Sequence, residues 1–153
     1  MLLTDLLSED RVTVHANGAL DKRTAIHELA AMLAAGAGLG PDLVEKVLLE
    51  REALQSTGIG EGVAIPHGAL AELDHQCGSV LLVPTGVPFE AIDGRDVTIL
   101  VAVIGPKRAS GEHLKTLARV SRLLRSSEFR ERLLTAKDGH EAFDMLKEES
   151  ERK

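Results

Sequence analysis

The segment Val97–Ile104 constrains the fold more than any other part of the sequence, because it is apolar on both of its alternating faces. It is rich in β-branched residues and is followed by Gly105, a pattern that predicts a strand. A strand that buries both faces belongs in the middle of a sheet, so we expect helices to cover the sheet on either side. The segment therefore predicts a covered sheet in an α/β fold.

Other short apolar segments bounded by Gly or Pro predict further strands, and apolar residues at helical spacing predict about five helices. The predicted strands lie at Val12–Val14 and around residues 63–65 and 80–83, and the predicted helices begin at Asp21, Pro41, Ser110, Glu128 and His140. The dipeptide Asp93-Gly94 indicates a hairpin between Phe89–Ile92 and Val97–Ile104, which adds antiparallel pairing. The sequence thus predicts a single α/β domain with a mixed, mostly five-stranded sheet covered by helices on both faces.

The length and charge of the chain limit its possible functions. Its 153 residues fit one domain, which we assign to residues 1–148, followed by a charged tail at 149–153 that is expected to fray. A net charge of −6 and the lack of Trp and Tyr argue against a nucleic-acid partner. The apolar runs are too short for membrane insertion, and the N-terminal segment does not resemble a secretory signal, so we expect a cytoplasmic location.

One glycine-rich segment stands out where the usual nucleotide and zinc motifs are missing. The sequence has no GxxxxGK[ST], HExxH or CxxC, so we predict no cofactor and no metal site. Residues 56–62 lead instead into a short strand that ends in Pro66-His67-Gly68. Pro66 fixes its own φ and Gly68 permits a close approach, which presents the His67 imidazole at a strand end, where reactive groups commonly lie. The alternative is that His67 merely closes a turn.

Arg51 is the second candidate residue, because it lies on the apolar face of the helix that begins at Pro41. An arginine in that position is costly unless its guanidinium meets an anion. The anion could be a phosphoryl group, or it could be a carboxylate in an ion pair with Glu52 or Glu61.

His113 is the third candidate residue. If Ser110 is the N-cap of its helix, His113 occupies the third helical position, near unpaired backbone N–H groups that attract anions. The alternative is a half-buried histidine at the edge of a buried stripe formed by Leu114, Leu117, Ser121 and Leu124.

Three parts of the sequence combine into a recognisable pattern: Arg51-Glu52, Ser56-Thr57-Gly58-Ile59-Gly60 and Ala64-Ile65-Pro66-His67-Gly68. Together they resemble the signature around the phosphorylated histidine in the enzyme IIA domains of the phosphoenolpyruvate-dependent phosphotransferase system, in the mannitol, fructose and nitrogen-regulatory class. Supporting segments occur in family order at Leu3–Leu7, Ala91–Gly94 and residues 112–124. The resemblance covers nearly the whole chain.

This resemblance implies a phosphotransferase, with His67 as the residue that carries the phosphoryl group. His113 would be the second histidine of the active site, and Arg51 would supply positive charge. The implied donor is a histidine carrier protein of the HPr type, and no nucleotide or metal takes part. The phosphoryl group would be held on Nε2 of His67, which requires a hydrogen-bond acceptor for Nδ1.

The family has sugar-specific and regulatory branches. Sugar-specific members pass the phosphoryl group to an enzyme IIB, whereas nitrogen-regulatory members control other proteins such as transporters or kinases. The form Thr57-Gly58-Ile59-Gly60, and a chain without a membrane segment or second domain, favour the regulatory branch. A fructose- or mannitol-type transport subunit and an interaction module that never carries phosphate are the alternatives. A hydrolase or metal site built on His67 and His113 would need a further carboxylate or ligand.

Overall fold

A computed structural model describes residues 3–16 and 18–152 of the chain. Its strands are β1 (Val12–Val14), β2 (Gly58–Gly60), β3 (Val63–Ala64), β4 (His67–Leu70), β5 (Cys77–Val87) and β6 (Val97–Pro106). Its helices are α1 (Lys22–Ala37), α2 (Pro41–Leu54), α3 (Ser110–Leu123), α4 (Ser127–Leu133) and α5 (Gly139–Glu151), and short 3₁₀ turns cover Leu3–Leu6, Glu9–Arg11 and Lys107–Ala109.

All six strands belong to one mixed sheet, in which β6 is central as the sequence predicts. The main strand order is β1-β5-β6-β3-β2, and β4 also pairs with β6. β5 runs antiparallel to β6, while β3 and β4 both run parallel to it. The predicted mixed sheet is therefore confirmed, with five strands in the main order and β4 as a further partner of β6.

Helices cover both faces of the sheet, because the two faces of β6 feed two separate apolar cores. One core joins α1 and α2 to the sheet, with Leu29 and Leu48 packing near Leu100. The other joins the N-terminal 3₁₀ turn, α3, α4 and α5 to the opposite face, with Phe129 and Leu146 in the same cluster as Val101. The apolar pattern of Val97–Ile104 predicted this arrangement, since each face of the strand requires its own cover.

The predicted hairpin arm at Phe89–Ile92 is wrong, because β5 is the antiparallel partner of β6 and ends at Val87. Pro88 follows directly and has no N–H to donate to a ladder, and Phe89 is only 1% exposed in the α1 core. Asp93 and Gly94 do form a turn, in which the Gly94 N–H donates to the Ala91 carbonyl. The turn lies inside the loop that joins β5 to β6.

The start of α1 agrees with the prediction from Asp21, whose side chain accepts a hydrogen bond from the Thr24 N–H at 2.8 Å. The helix ends at Ala37, and its C-cap, Gly38, has a positive φ of 70° that glycine adopts without strain. Pro41 then begins α2 at its first turn, as expected.

The last helix, α5, includes residues 149–151, which the sequence analysis assigns to a charged tail. Within this stretch Glu149 forms an ion pair with Arg152 at 3.1 Å, and Arg132 of α4 lies 3.6 Å from the same carboxylate. Lys153 lies outside the described residues, and the division at residue 148 stays a prediction. In the described ranges, no helix has the length and apolar character needed to cross a membrane.

A close contact between α2 and β4 generates the first prediction. A Cβ at Gly68 would overlap Cγ1 of Val47, and the branched Val47 side chain has little rotameric freedom in a helix. We expect Gly68→Ala to lower the free energy of unfolding by about 1–3 kcal/mol, measured by urea denaturation.

The control is Gly111→Ala, because a Cβ at Gly111 would meet no atom of the described residues within 4 Å. In the double variant Gly68→Ala, Val47→Ala, the added methyl group should no longer clash with the side chain at position 47. The loss in the free energy of unfolding should therefore be smaller than the sum of the losses in the two single variants. Strict additivity of the two single changes would contradict this account of the contact.

Candidate active site

The structure brings the three predicted residues together. His67, His113 and Arg51 line one open cavity of about 350 Å³ between α2, β4 and α3. The rest of the lining is mainly apolar and consists of Val47, Glu50, Leu54, Gly68 and Ala69. Leu54 stands at the cavity with 82% of its surface exposed. The site is thus an accessible depression with two imidazoles and one guanidinium.

The backbone on both sides of Pro66 is fixed before the chain reaches His67. The Ile65 N–H donates to the Thr57 carbonyl at 3.0 Å, and the Pro66 carbonyl accepts from the Val103 N–H at 3.0 Å. His67 then begins β4, opposite Val103 in the parallel pairing with β6. The imidazole therefore extends from a strand that is anchored to the centre of the sheet.

One hydrogen bond determines the tautomer of His67. Its Nδ1 lies 2.7 Å from the carbonyl oxygen of Ile65. Because a carbonyl oxygen can only accept, Nδ1 holds the proton and the lone pair of the neutral ring is on Nε2. Within the described residues, no hydrogen bond engages Nε2. The acceptor that the sequence could not name is therefore the backbone of Ile65.

The surroundings of His67 favour the neutral ring. Burial is the largest cause and lowers the pKa of His67 from its ordinary value of 6.5, and the positive charge of Arg51 lowers it further. The hydrogen bond to Ile65 and the negative charge of Glu52 oppose this by raising the pKa. The net direction is downward, so the imidazole is neutral at neutral pH, as a nucleophile must be.

His113 approaches His67 from α3, with the two ring centroids 5.6 Å apart and the rings inclined by 52°. Burial lowers the pKa of His113 below 6.5, and the neighbouring His67 lowers it further. Both ring nitrogens of His113 are buried and have no hydrogen-bond partner among the described residues. The second histidine is therefore also neutral and has unused hydrogen-bonding capacity.

The predicted start of α3 needs a correction. Ser110 is the first residue of the helix and not its N-cap, because the 3₁₀ turn Lys107–Ala109 runs directly into it, and the N-cap position is Ala109 without a side-chain hydrogen bond. His113 is consequently at the fourth helical position. The predicted buried stripe is wrong at its first residue, Leu114, which is 66% exposed. The buried face contains Thr116 and Val120 together with the predicted Leu124, and half-buried His113 lies on that face.

Arg51 lies in the last turn of α2 and donates from Nη1 to the Gln55 carbonyl at 2.8 Å. The alternative ion pairs do not form, because both carboxylates are engaged elsewhere. Glu52 pairs with Lys22 at 2.8 Å, and Glu61 lies 3.3 Å from Arg130 and 3.5 Å from Arg95. The guanidinium thus faces the cavity without a carboxylate partner among the described residues.

Glu52 has a supporting role that the sequence analysis missed. Its carboxylate, 8% exposed, accepts from the Thr57 N–H at 3.0 Å and from the Thr57 hydroxyl at 2.6 Å. Lys22 completes the group and also stacks 4.7 Å from the Phe89 ring centroid. Since the Thr57 carbonyl holds Ile65, this buried group fixes the backbone that orients His67. The sequence separation between Lys22 and Glu52 concealed the pairing.

Comparisons with known proteins agree with this geometry. The profile of the family described as "Phosphoenolpyruvate-dependent sugar phosphotransferase system, EIIA 2" matches residues 5–149. The chain belongs to this family. It is similar to a nitrogen regulatory protein of Bradyrhizobium diazoefficiens, with 36% identity over 95% of each chain. It is also 29% identical over 95% of its length to a fructose-specific EIIABC component of Bacillus subtilis, of which it spans 23%.

A solved structure supports the same assignment. Nitrogen regulatory protein IIA-Ntr of Neisseria meningitidis superimposes with a TM-score of 0.86 at 30% identity, covering 94% of this chain and 98% of the other. The predicted α/β fold and the phosphotransferase family are therefore confirmed. The roles of His67, His113 and Arg51 within that family stay predictions, which the geometry of the cavity supports.

The electrostatics of His67 generate the second prediction. In an NMR titration of protein labelled with ¹⁵N-histidine, we expect the His67 ring to hold its proton on Nδ1 and to titrate below pH 6.5. Arg51→Gln should raise the pKa of His67, because it removes a positive charge that disfavours protonation.

Lys147→Gln provides the matched control, since it removes one exposed positive charge on α5, which packs against the other face of the sheet. An unchanged His67 titration in Arg51→Gln, or an equal shift in both variants, would show that Arg51 does not act on His67 as described.

Proposed function

We propose that the chain is a phosphohistidine carrier that accepts a phosphoryl group on Nε2 of His67 from an HPr-type protein. The observation that carries this proposal is the 2.7 Å hydrogen bond from Nδ1 to the Ile65 carbonyl, beside an open cavity that Arg51 and His113 also line. It supports a neutral imidazole in one tautomer, with its nucleophilic nitrogen free to react.

The transfer is a displacement at phosphorus. The lone pair on Nε2 of His67 forms the new N–P bond as the N–P bond to the donor histidine breaks, and the bonding electrons return to the donor nitrogen. Nδ1 keeps its proton throughout and continues to donate to Ile65. No proton has to leave His67 during the step, so no general base is required.

Arg51 and His113 would stabilise the negative charge of the transferred phosphoryl group. A phosphoryl group brings a charge of roughly −1.5 to −2 at neutral pH, and charge-assisted hydrogen bonds from a guanidinium can offset it. Arg51 uses Nη1 for the Gln55 carbonyl and has further N–H groups for the phosphoryl oxygens. His113, with two unpaired ring nitrogens, offers another contact. Arg51 and His113 would supply only a few such contacts, which suits a group that must be passed on.

We further infer that the chain belongs to the nitrogen-regulatory branch and acts in the cytoplasm on a regulated transporter or kinase. Support comes from the 36% identity to a nitrogen regulatory protein over nearly the full length of both chains. The motif Thr57-Gly58-Ile59-Gly60 also favours this branch, because it resembles the form found in nitrogen-regulatory members. The alternative is transport, in which phosphoryl passes to enzyme IIB, and the fructose-specific relative supports it less strongly at 29% identity.

Intact-mass spectrometry tests the carrier function. The parent chain is incubated with phosphoenolpyruvate, enzyme I and an HPr-type carrier, and we expect a gain of one acid-labile phosphoryl group. His67→Ala should gain none. Arg51→Gln should also gain the phosphoryl group, but at an initial rate about 10²-fold lower than that of the parent, because a charged hydrogen-bond donor to the transferred group is lost.

The activity of enzyme I and the carrier is verified in parallel on an enzyme IIA known to accept phosphate. If the parent gains no mass under those conditions, the proposal fails and an interaction module without phosphate becomes the better account. In a second arm, the phosphorylated parent is mixed with a fructose-type enzyme IIB. Retention of the phosphoryl group is expected for the regulatory branch, and rapid loss to IIB would contradict that assignment.

A further inference from the structure

A group of buried polar atoms beside the proposed site has no hydrogen-bond partner in the part of the chain that the structure describes. The atoms are Oε1 of Gln76 and both ring nitrogens of His113. Buried polar side-chain atoms are nearly always paired, so several unpaired atoms from two neighbouring side chains require an explanation. His113 lines the proposed phosphoryl site, whereas Gln76 lies outside the lining of that cavity.

The two side chains meet over Gly105 of β6. A Cβ placed on Gly105 would lie 3.2 Å from Cγ of Gln76 and 3.2 Å from Nδ1 of His113. The backbone explains this meeting, because Cys77 pairs with Ile104 and Gln76 immediately precedes it, beside Gly105. The lack of a side chain at position 105 lets both groups approach the strand. Nδ1 is thus the His113 nitrogen that packs on the same glycine as the Gln76 side chain.

The negative charge of a phosphoryl group on His67 would change the protonation state of His113 and the hydrogen-bond partners that its ring requires. The charged and titratable groups that line the cavity with it are His67, Arg51 and Glu50, and its own helix contributes exposed Glu112. A phosphoryl anion on His67 favours a proton on His113, and the imidazolium has two N–H donors. One donor can reach the phosphoryl group, and the other needs an acceptor. Rotation about the side-chain bonds of Gln76 can turn its free amide oxygen toward Nδ1.

We propose that Gln76 is a positioning residue for His113, accepting a hydrogen bond from Nδ1–H of the protonated ring and thereby directing Nε2–H to the phosphoryl group on His67. The inference rests on the proposed function for the role of His113. It does not depend on that function for the hydrogen bond itself, since acid also protonates His113 in the unphosphorylated protein. An uncharged acceptor suits this place because it does not repel the phosphoryl group.

The test is a ¹⁵N-histidine NMR titration of the unphosphorylated protein, in the parent and in two variants. Gln76→Leu removes the acceptor at similar size and should lower the pKa of His113. Gln76→Glu supplies a charged acceptor and should raise it. His67 titrates in the same spectra, and its pKa should move less than that of His113. His75→Leu changes the adjacent exposed residue as a control and should leave His113 unchanged.

Opposite shifts of His113 in the two Gln76 variants would support the hydrogen bond. The same His113 titration in Gln76→Leu as in the parent, or equal shifts of both histidines, would overturn it. Circular dichroism and urea unfolding verify that each variant is folded, and Gln76→Ala, which also removes the acceptor, decides the question if Gln76→Leu does not fold.

A kinetic measurement then connects the bond to phosphoryl transfer. We expect Gln76→Leu to lower kcat for acceptance about tenfold while KM for the HPr-type donor stays the same, because the lost hydrogen bond is to a charged group formed during transfer. A changed KM with the parent kcat would contradict the positioning role. If the parent itself accepts no phosphoryl group, the proposed function fails, while the titration still decides whether Gln76 binds His113.

Discussion

The hydrogen bond from Nδ1 of His67 to the Ile65 carbonyl is the interaction on which the whole site depends, because it determines which ring nitrogen can react. The rest of the fold holds that carbonyl in place. Thr57 binds the Ile65 N–H on one side, and Val103 of the central strand binds the Pro66 carbonyl on the other. The buried Glu52, paired with the partly buried Lys22, holds the backbone at Thr57.

The site combines two histidines of lowered pKa with one positively charged group, the Arg51 guanidinium. Burial keeps both histidines neutral by lowering their pKa values, and the Arg51 charge strengthens the effect at His67. The same guanidinium is available to an arriving anion because its possible carboxylate partners are engaged elsewhere. In the proposed mechanism, this one residue would favour the neutral nucleophile before transfer and bind the phosphoryl group after it, and the small number of contacts would leave the group transferable.

The sequence predicted the features that arise from local patterns, and it did not predict contacts between segments that are far apart along the chain. Val97–Ile104 predicted the central strand because its two apolar faces are a local pattern, and the segment around Pro66-His67-Gly68 indicated the candidate histidine. The hairpin arm at Phe89–Ile92 failed because a turn signal at Asp93-Gly94 does not reveal which segment continues the ladder. The partners of Glu52 and the proximity of Gln76 to His113 are contacts between distant segments, which no local pattern encodes.

The central claim is that the Ile65 carbonyl makes Nε2 of His67 the nitrogen that carries phosphate. The most direct measurement is an NMR spectrum of phosphorylated protein labelled with ¹⁵N-histidine, in which coupling to ³¹P identifies the bonded nitrogen. The account predicts coupling to Nε2 of His67 alone, with Nδ1 still protonated. Coupling to Nδ1 of His67, or to a nitrogen of His113, would contradict it.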